Sequence, residues 1–260
     1  VHSLQLINMA RGGKPGENTG IVVNGAPLDP KRYISGTVKP GQESFRIRAS
    51  LPDPPGFFAE SLHKALISAG IHVSGSFYSH HSARLAALDL SKRRYDLLEM
   101  KSPALSELIR EVNSKSNNSF AENLLKTAAY YNHGKGSRSL GLVDLMHYLS
   151  ASGIDTGGML LHDGSGLAPT TRVTAAQITE LLKQMYRHEY AQSWINSLAV
   201  AAQSGTLEHQ FRSGNSAGRL RAKTGSMQGV RVYAGYSQLQ DGSPVCFVLI
   251  VNHFQDSPAG

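Results

Sequence analysis

Short apolar–polar alternations mark the start of the chain, and helical spacings take over further on. Residues 20–24, 33–38 and 44–49 alternate with period two between Gly- and Pro-rich turn signals, so residues 1 to about 57 predict a small β-rich module. The Pro52–Gly56 cluster breaks this pattern. Apolar positions at Phe58, Leu62, Ala65, Leu66 and Ala69 then predict a helix over 57–69, closed by Gly70, with a strand at 71–75. From about residue 100 the spacing predicts helices at 105–113, 119–131, 140–152, 174–188 and 192–202. Ser119 and Glu122 read as a capping box for the second of these. The chain returns to strands around Lys223, at 230–239 and at 245–252, which form an antiparallel meander. The fold class is therefore α+β, an antiparallel sheet with helices.

Composition narrows the picture modestly. The 260 residues are 40% hydrophobic and 17% charged, and no apolar run is long enough to span a bilayer. The first residues lack an initiator Met and the pattern of a signal peptide, so a processed or truncated N-terminus is expected. The net charge of +7 is dispersed, without the Lys/Arg block of a nucleic-acid patch, so no nucleic-acid partner is expected. Cys246, the one cysteine, stands in an apolar run and reads as core. Adjacent His80 and His81 have no carboxylate or Cys at ligand spacing, so a solvated loop is expected there and no metal or cofactor is called for.

Two triplets carry the chemistry. Lys223-Thr224-Gly225 followed by Ser226 lies on a predicted strand, and Ser116-Asn117-Asn118 lies in a tight helix-to-helix connection. Each alone is unremarkable in sequence. In this order, S-x-N then K-T-G is the arrangement of active-site serine enzymes that recognise penicillin. An acyl-transfer site needs a nucleophile, a base, an oxyanion hole and a clamp for the substrate carboxylate. Lys223 and the Thr224 hydroxyl suit the clamp, and Gly225 leaves a strand edge open for a peptide. The N–H of Ser226 suits an oxyanion donor. Ser116 suits a proton relay and Asn118 an amide donor to a substrate carbonyl, while Asn117 is expected to point away.

The chain resembles the D-alanyl-D-alanine carboxypeptidase/endopeptidase family, the class C low-molecular-mass penicillin-binding proteins. The resemblance rests on 32–38 (RYISGTV), 50–54 (SLPDP), 116–125 (SNNSFAENLL), 162–167 (HDGSGL), 205–207 (GTL) and 222–226 (AKTGS). It implies a penicillin-binding, β-lactamase-like serine acyltransferase fold, with 1–85 part of a β-rich inserted region and 86–260 the C-terminal part of the transpeptidase-like domain. It implies hydrolysis of D-alanyl bonds in peptidoglycan stem peptides, through an acyl-enzyme that β-lactam antibiotics trap, in the periplasm or at the cell wall. Cleavage of D-alanyl cross-links is a second activity of the same site. Leu167 and Met227 join the substrate-binding residues. Asp163 is expected in a turn role, and Gly164 and Gly166 around Ser165 suit a tight loop with exposed N–H groups. Many relatives carry Ser-Arg after the position of Leu167, where this chain has Ala168-Pro169.

Such enzymes need S-x-x-K, and the chain holds it once, as Ser61-Leu62-His63-Lys64. The resemblance places this stretch in the inserted region, so the nucleophile and its lysine are expected upstream of Val1 and Ser61 is read as a decoy. Two other readings compete: a peptidoglycan-binding module without catalysis, and a β-lactamase-like hydrolase that uses Ser61.

Overall fold

The computed structural model of the chain describes residues 4–89, 91 and 98–254. It divides into two compact units, 1–99 and 100–260.

The first unit is built on β4 (Lys31–Val38), an eight-residue strand paired on both sides. Strands β1 (Gln5–Asn8) and β2 (Arg11–Gly12) run parallel to its two ends, and β3 (Gly20–Asn24) runs antiparallel to it. Arg32 is buried in β4, and its guanidinium donates to the carbonyls of Ala26, Asp29, Lys31 and Ser50, which ties the β3–β4 loop and the chain at residue 50 to the strand. The expected strand at 44–49 does not form. Phe45 and Ile47 alternate correctly but both remain exposed, so no buried face rewards pairing. The strand expected at 71–75 is likewise irregular.

Helix α1 (Pro54–Ser68) starts three residues before its predicted position. The Asp53 carboxylate caps it by accepting from the Gly56 N–H at 3.1 Å, and the prolines that looked like a break occupy the first turn, where a missing N–H costs nothing. His80 and His81 lie in a short helix, α2 (His80–Leu85), not in a loop. The Ser79–Ser82 capping box starts it, and the Ser79 hydroxyl donates to Asp53 at 2.7 Å.

The second unit opens with α3 (Leu105–Lys115), α4 (Asn118–His133), α5 (Arg138–Ala151), α6 (Ala175–Arg187) and α7 (Ala191–Ser197). Its sheet has the order β5-β6-β7-β8, all antiparallel: β5 (Ala199–Val200), β6 (Arg221–Met227), β7 (Val230–Gln238) and β8 (Pro244–Asn252). Helix α7 stops at Ser197, short of the expected 202. The four residues that follow are all buried and run on as β5 and its flanks. Ser197 marks the end: its hydroxyl donates to the Trp194 carbonyl and accepts from the Asn113 amide at 2.8 Å.

Helices α6 and α7 cover one sheet face through Leu182, Leu198 and Tyr236, packed with Trp194, Cys246 and Val248. Cys246 thus contributes to the core as expected. The Tyr236 hydroxyl donates to the Leu182 carbonyl at 2.7 Å and accepts from the Trp194 indole, and burial pushes its pKa up to about 12. On the other face Ala199, Leu207 and Ala222 form a second buried cluster. Together the two clusters hold β6 rigidly at the position where the K-T-G triplet falls.

Candidate active site

The connection between α3 and α4 is a tight one, and its conformation is unusual. Ser116 caps α3 in the left-handed region, with φ 58° and ψ 45°, which a serine adopts only at a cost of order 1 kcal/mol. Asn117 then caps α4, its side chain accepting from the Phe120 N–H at 3.2 Å. The capping residue is therefore Asn117 and not Ser119.

The left-handed turn sets Ser116 against β6. Lys223 Nζ donates to Ser116 Oγ at 2.8 Å and to the carbonyl of Thr224. Both acceptors are neutral, and burial pushes the Lys223 pKa below the ordinary lysine value of 10.5. A partly desolvated ammonium with only neutral acceptors is suited to an incoming anion. Next along β6, the Thr224 hydroxyl donates to Thr206 Oγ1 at 2.8 Å in the 3₁₀ turn Gly205–Leu207.

The strand edge beside these residues is open. Strand β5 pairs with Arg221 and Ala222 only, so among the described residues Lys223–Met227 have no strand partner on that side. Across β7, Gly225 faces Val232, and a Cβ added there would meet the Val232 Cβ at 3.4 Å, an ordinary contact. Packing inside the chain does not demand this glycine.

The other predicted site residues are placed less tightly. Asn118 stands exposed in the first turn of α4, Ser226 is exposed, Met227 is half-buried and Leu167 is 52% exposed. Among the described residues no side-chain hydrogen bond joins these four to the Ser116–Lys223 pair.

Glu122 departs from its expected capping role. Its carboxylate reaches from α4 to accept from the Gly164 N–H at 2.9 Å and from Arg138 at 3.2 Å. Gly164 must be glycine for this approach, because a Cβ would fall 2.9 Å from the Ala121 carbonyl oxygen. Asp163 takes the turn role expected of it, accepting from the N–H groups of Gly166 and Ala168. The amides of both glycines are thus engaged by carboxylates rather than left exposed. Thr206 was missed at the site. The stretch 205–207 is recognisable in sequence, but its proximity to Thr224 is set by tertiary packing alone.

Comparison with known proteins gives the family and the fold. The model of the D-Ala-D-Ala carboxypeptidase 3 (S13) family matches residues 22–260. The chain is 30% identical over 261 residues to a D-alanyl-D-alanine carboxypeptidase of Actinomadura sp. (strain R39), covering 98% of this chain and 47% of that protein. It is 25% identical over 233 residues to D-alanyl-D-alanine carboxypeptidase DacB of Haemophilus influenzae, covering 87% of this chain and 46% of that protein. The crystal structure of penicillin binding protein 4 from Haemophilus influenzae superposes with a TM-score of 0.80 at 21% identity, over 98% of this chain and 55% of that one. That likeness gives the fold, and the penicillin-binding fold expected from the motifs is the one found. The chain spans about half the length of the curated relatives it matches.

Proposed function

The chain belongs to the D-Ala-D-Ala carboxypeptidase 3 (S13) family, and on that premise we propose that it is the part of a serine D-Ala-D-Ala carboxypeptidase that carries the second and third active-site motifs. The substrate is a peptidoglycan stem peptide outside the cytoplasm, D-alanyl cross-links are a second substrate, and β-lactams are inhibitors. The observation that carries this reading is the 2.8 Å bond from Lys223 Nζ to Ser116 Oγ, which joins the K-T-G strand to the S-x-N connection.

The chemistry runs as follows. A serine hydroxyl from an S-x-x-K segment attacks the carbonyl of the penultimate D-Ala, its proton passing to the lysine of that segment. The C–N bond breaks, and the terminal D-Ala leaves after its nitrogen takes a proton relayed through Ser116. Water then releases the acyl group. Lys223 and Thr224 hold the terminal carboxylate, the Ser226 N–H donates to the developing oxyanion, and Asn118 donates to a substrate carbonyl. The peptide lies along the open edge at Gly225, and Leu167 and Met227 contribute apolar contacts to it. A β-lactam enters the same way, but its ring nitrogen stays tethered after attack.

The nucleophile belongs to a segment outside these 260 residues. Ser61 does not fit the role: it is exposed on α1 in the first unit, and Lys64 bonds to Glu60 at 2.7 Å instead of facing a nucleophile. That unit corresponds to the β-rich inserted region.

The test is release of D-alanine from a D-Ala-D-Ala peptide by the full-length protein. Release supports the carboxypeptidase. Peptide binding without release, and without acylation by penicillin, replaces it with the non-catalytic binding module. The pH dependence is also fixed in sign. The clamp needs Lys223 protonated, and burial has lowered its pKa, so kcat/KM falls as pH rises through a value below 10.5. In Lys223→Arg, whose charge does not titrate in this range, that alkaline limb is lost whatever the absolute rate. A limb that persists in the variant belongs to another group.

A further inference from the structure

The turn Gly205–Leu207 bonds to the K-T-G strand through Thr206 and lies against Ser114, two residues before the S-x-N triplet. Gly205 has φ +61°, and a Cβ there would fall 2.3 Å from Ser114 Oγ and 2.4 Å from the Ser114 carbonyl oxygen, two residues before Ser116. The turn is thus pressed against the end of α3. Leu207 anchors its other side, fully buried against Ala199 and Ala222, and its carbonyl accepts from the Ala202 N–H at 3.0 Å. Between these fixed points the Thr206 carbonyl accepts from the Gln210 amide at 3.1 Å. The Thr206 hydroxyl is therefore held in place at 2.8 Å from Thr224 Oγ1.

A hydroxyl carries one proton and two lone pairs. In the arrangement seen, Thr224 directs its proton to Thr206. To bind a substrate carboxylate, Thr224 must turn that proton toward the ligand, which leaves a lone pair facing Thr206. Thr206 has a proton of its own to fill it.

We propose that Thr206 is a positioning residue for carboxylate recognition: on substrate binding its hydrogen bond with Thr224 reverses, so that Thr206 donates to Thr224 and Thr224 donates to the terminal carboxylate. The inference rests on the reading of Lys223 and Thr224 as the carboxylate clamp. A hydroxyl that accepts one hydrogen bond is polarised into a better donor for the next. The fixed turn also holds Thr224 in one rotamer. Selectivity for a free C-terminal carboxylate over a neutral C-terminus follows from this pair.

The experiment compares a D-Ala-D-Ala peptide bearing a free carboxylate with its C-terminal amide, as substrates of the full-length protein and of Thr206→Val and Thr206→Ser. Thr206→Val keeps the shape and removes the hydroxyl. It is expected to raise KM for the free acid so that kcat/KM drops roughly tenfold, with the amide changed less than twofold, and Thr206→Ser restores the wild-type ratio. Thr206→Ala, which only removes atoms, replaces the Val variant if the latter does not fold. An equal loss on both substrates, or no loss, overturns the role of Thr206 and leaves the carboxypeptidase standing. A wild-type protein that hydrolyses neither substrate overturns the carboxypeptidase reading and this inference with it.

Discussion

Replacing Lys223 by methionine in the full-length protein is expected to lower kcat/KM on a D-Ala-D-Ala peptide by about 10²–10³-fold, the scale of losing one charged or oxyanion-type contact in a desolvated site. The change removes the donor to Ser116 Oγ and the positive end of the clamp at once. It also removes a charge that burial already disfavours, so the folded state is not expected to suffer. Activity and stability should therefore separate: turnover collapses while the thermal midpoint holds or rises. Measuring both on one preparation checks this. A variant within threefold of wild type in kcat/KM would remove Lys223 from the site, and a collapse of both quantities would make it a structural residue.

Two glycines on neighbouring strands are expected to behave oppositely. Gly235 in β7 lies opposite Ala222, and an added Cβ would fall 2.0 Å from the Arg221 carbonyl oxygen and 2.7 Å from the Ala222 Cα. Backbone atoms cannot yield as a side chain does. Gly235→Ala should cost about 3 kcal/mol or more and displace β6 immediately before Lys223. Gly225 has no such conflict: its Cβ would sit 3.4 Å from the Val232 Cβ, and alanine there should be neutral or stabilise by roughly 0.4–1 kcal/mol through the unfolded chain. Its cost should fall instead on peptide binding along the open edge. Denaturant unfolding of both variants, with kcat/KM for Gly225→Ala, tests the contrast. Equal destabilisation by the two would mean that the edge at Gly225 serves the fold.

The parts of this molecule that could be read from sequence were those with local causes. The long helices of the second unit and the β6–β8 meander follow from their own periodicity, and the two triplets declared their chemistry by residue type and order. The errors lie where a tertiary partner decides. Residues 44–49 alternate like a strand, yet Phe45 and Ile47 find no buried face. The run after Ser197 reads as more helix, but four consecutive buried residues draw it into the sheet as β5. Pro54 and Pro55 resemble a break in sequence, but the Asp53 cap before them makes them the first turn of α1. Glu122 had the spacing of a capping box but is taken by Gly164, 42 residues away. Thr206 is the same case inside the site: nothing at its own position signals that a turn 18 residues from Thr224 carries its hydrogen-bond partner.

The most direct test of the account is to treat the full-length protein with penicillin and map the acylated residue by peptide mass. One adduct is expected, on the serine of an S-x-x-K segment outside these 260 residues, with its loss or marked slowing in Ser116→Ala. An adduct on Ser61 would contradict it by making the first unit the site of attack, and the absence of any adduct would contradict the serine acyl-enzyme itself.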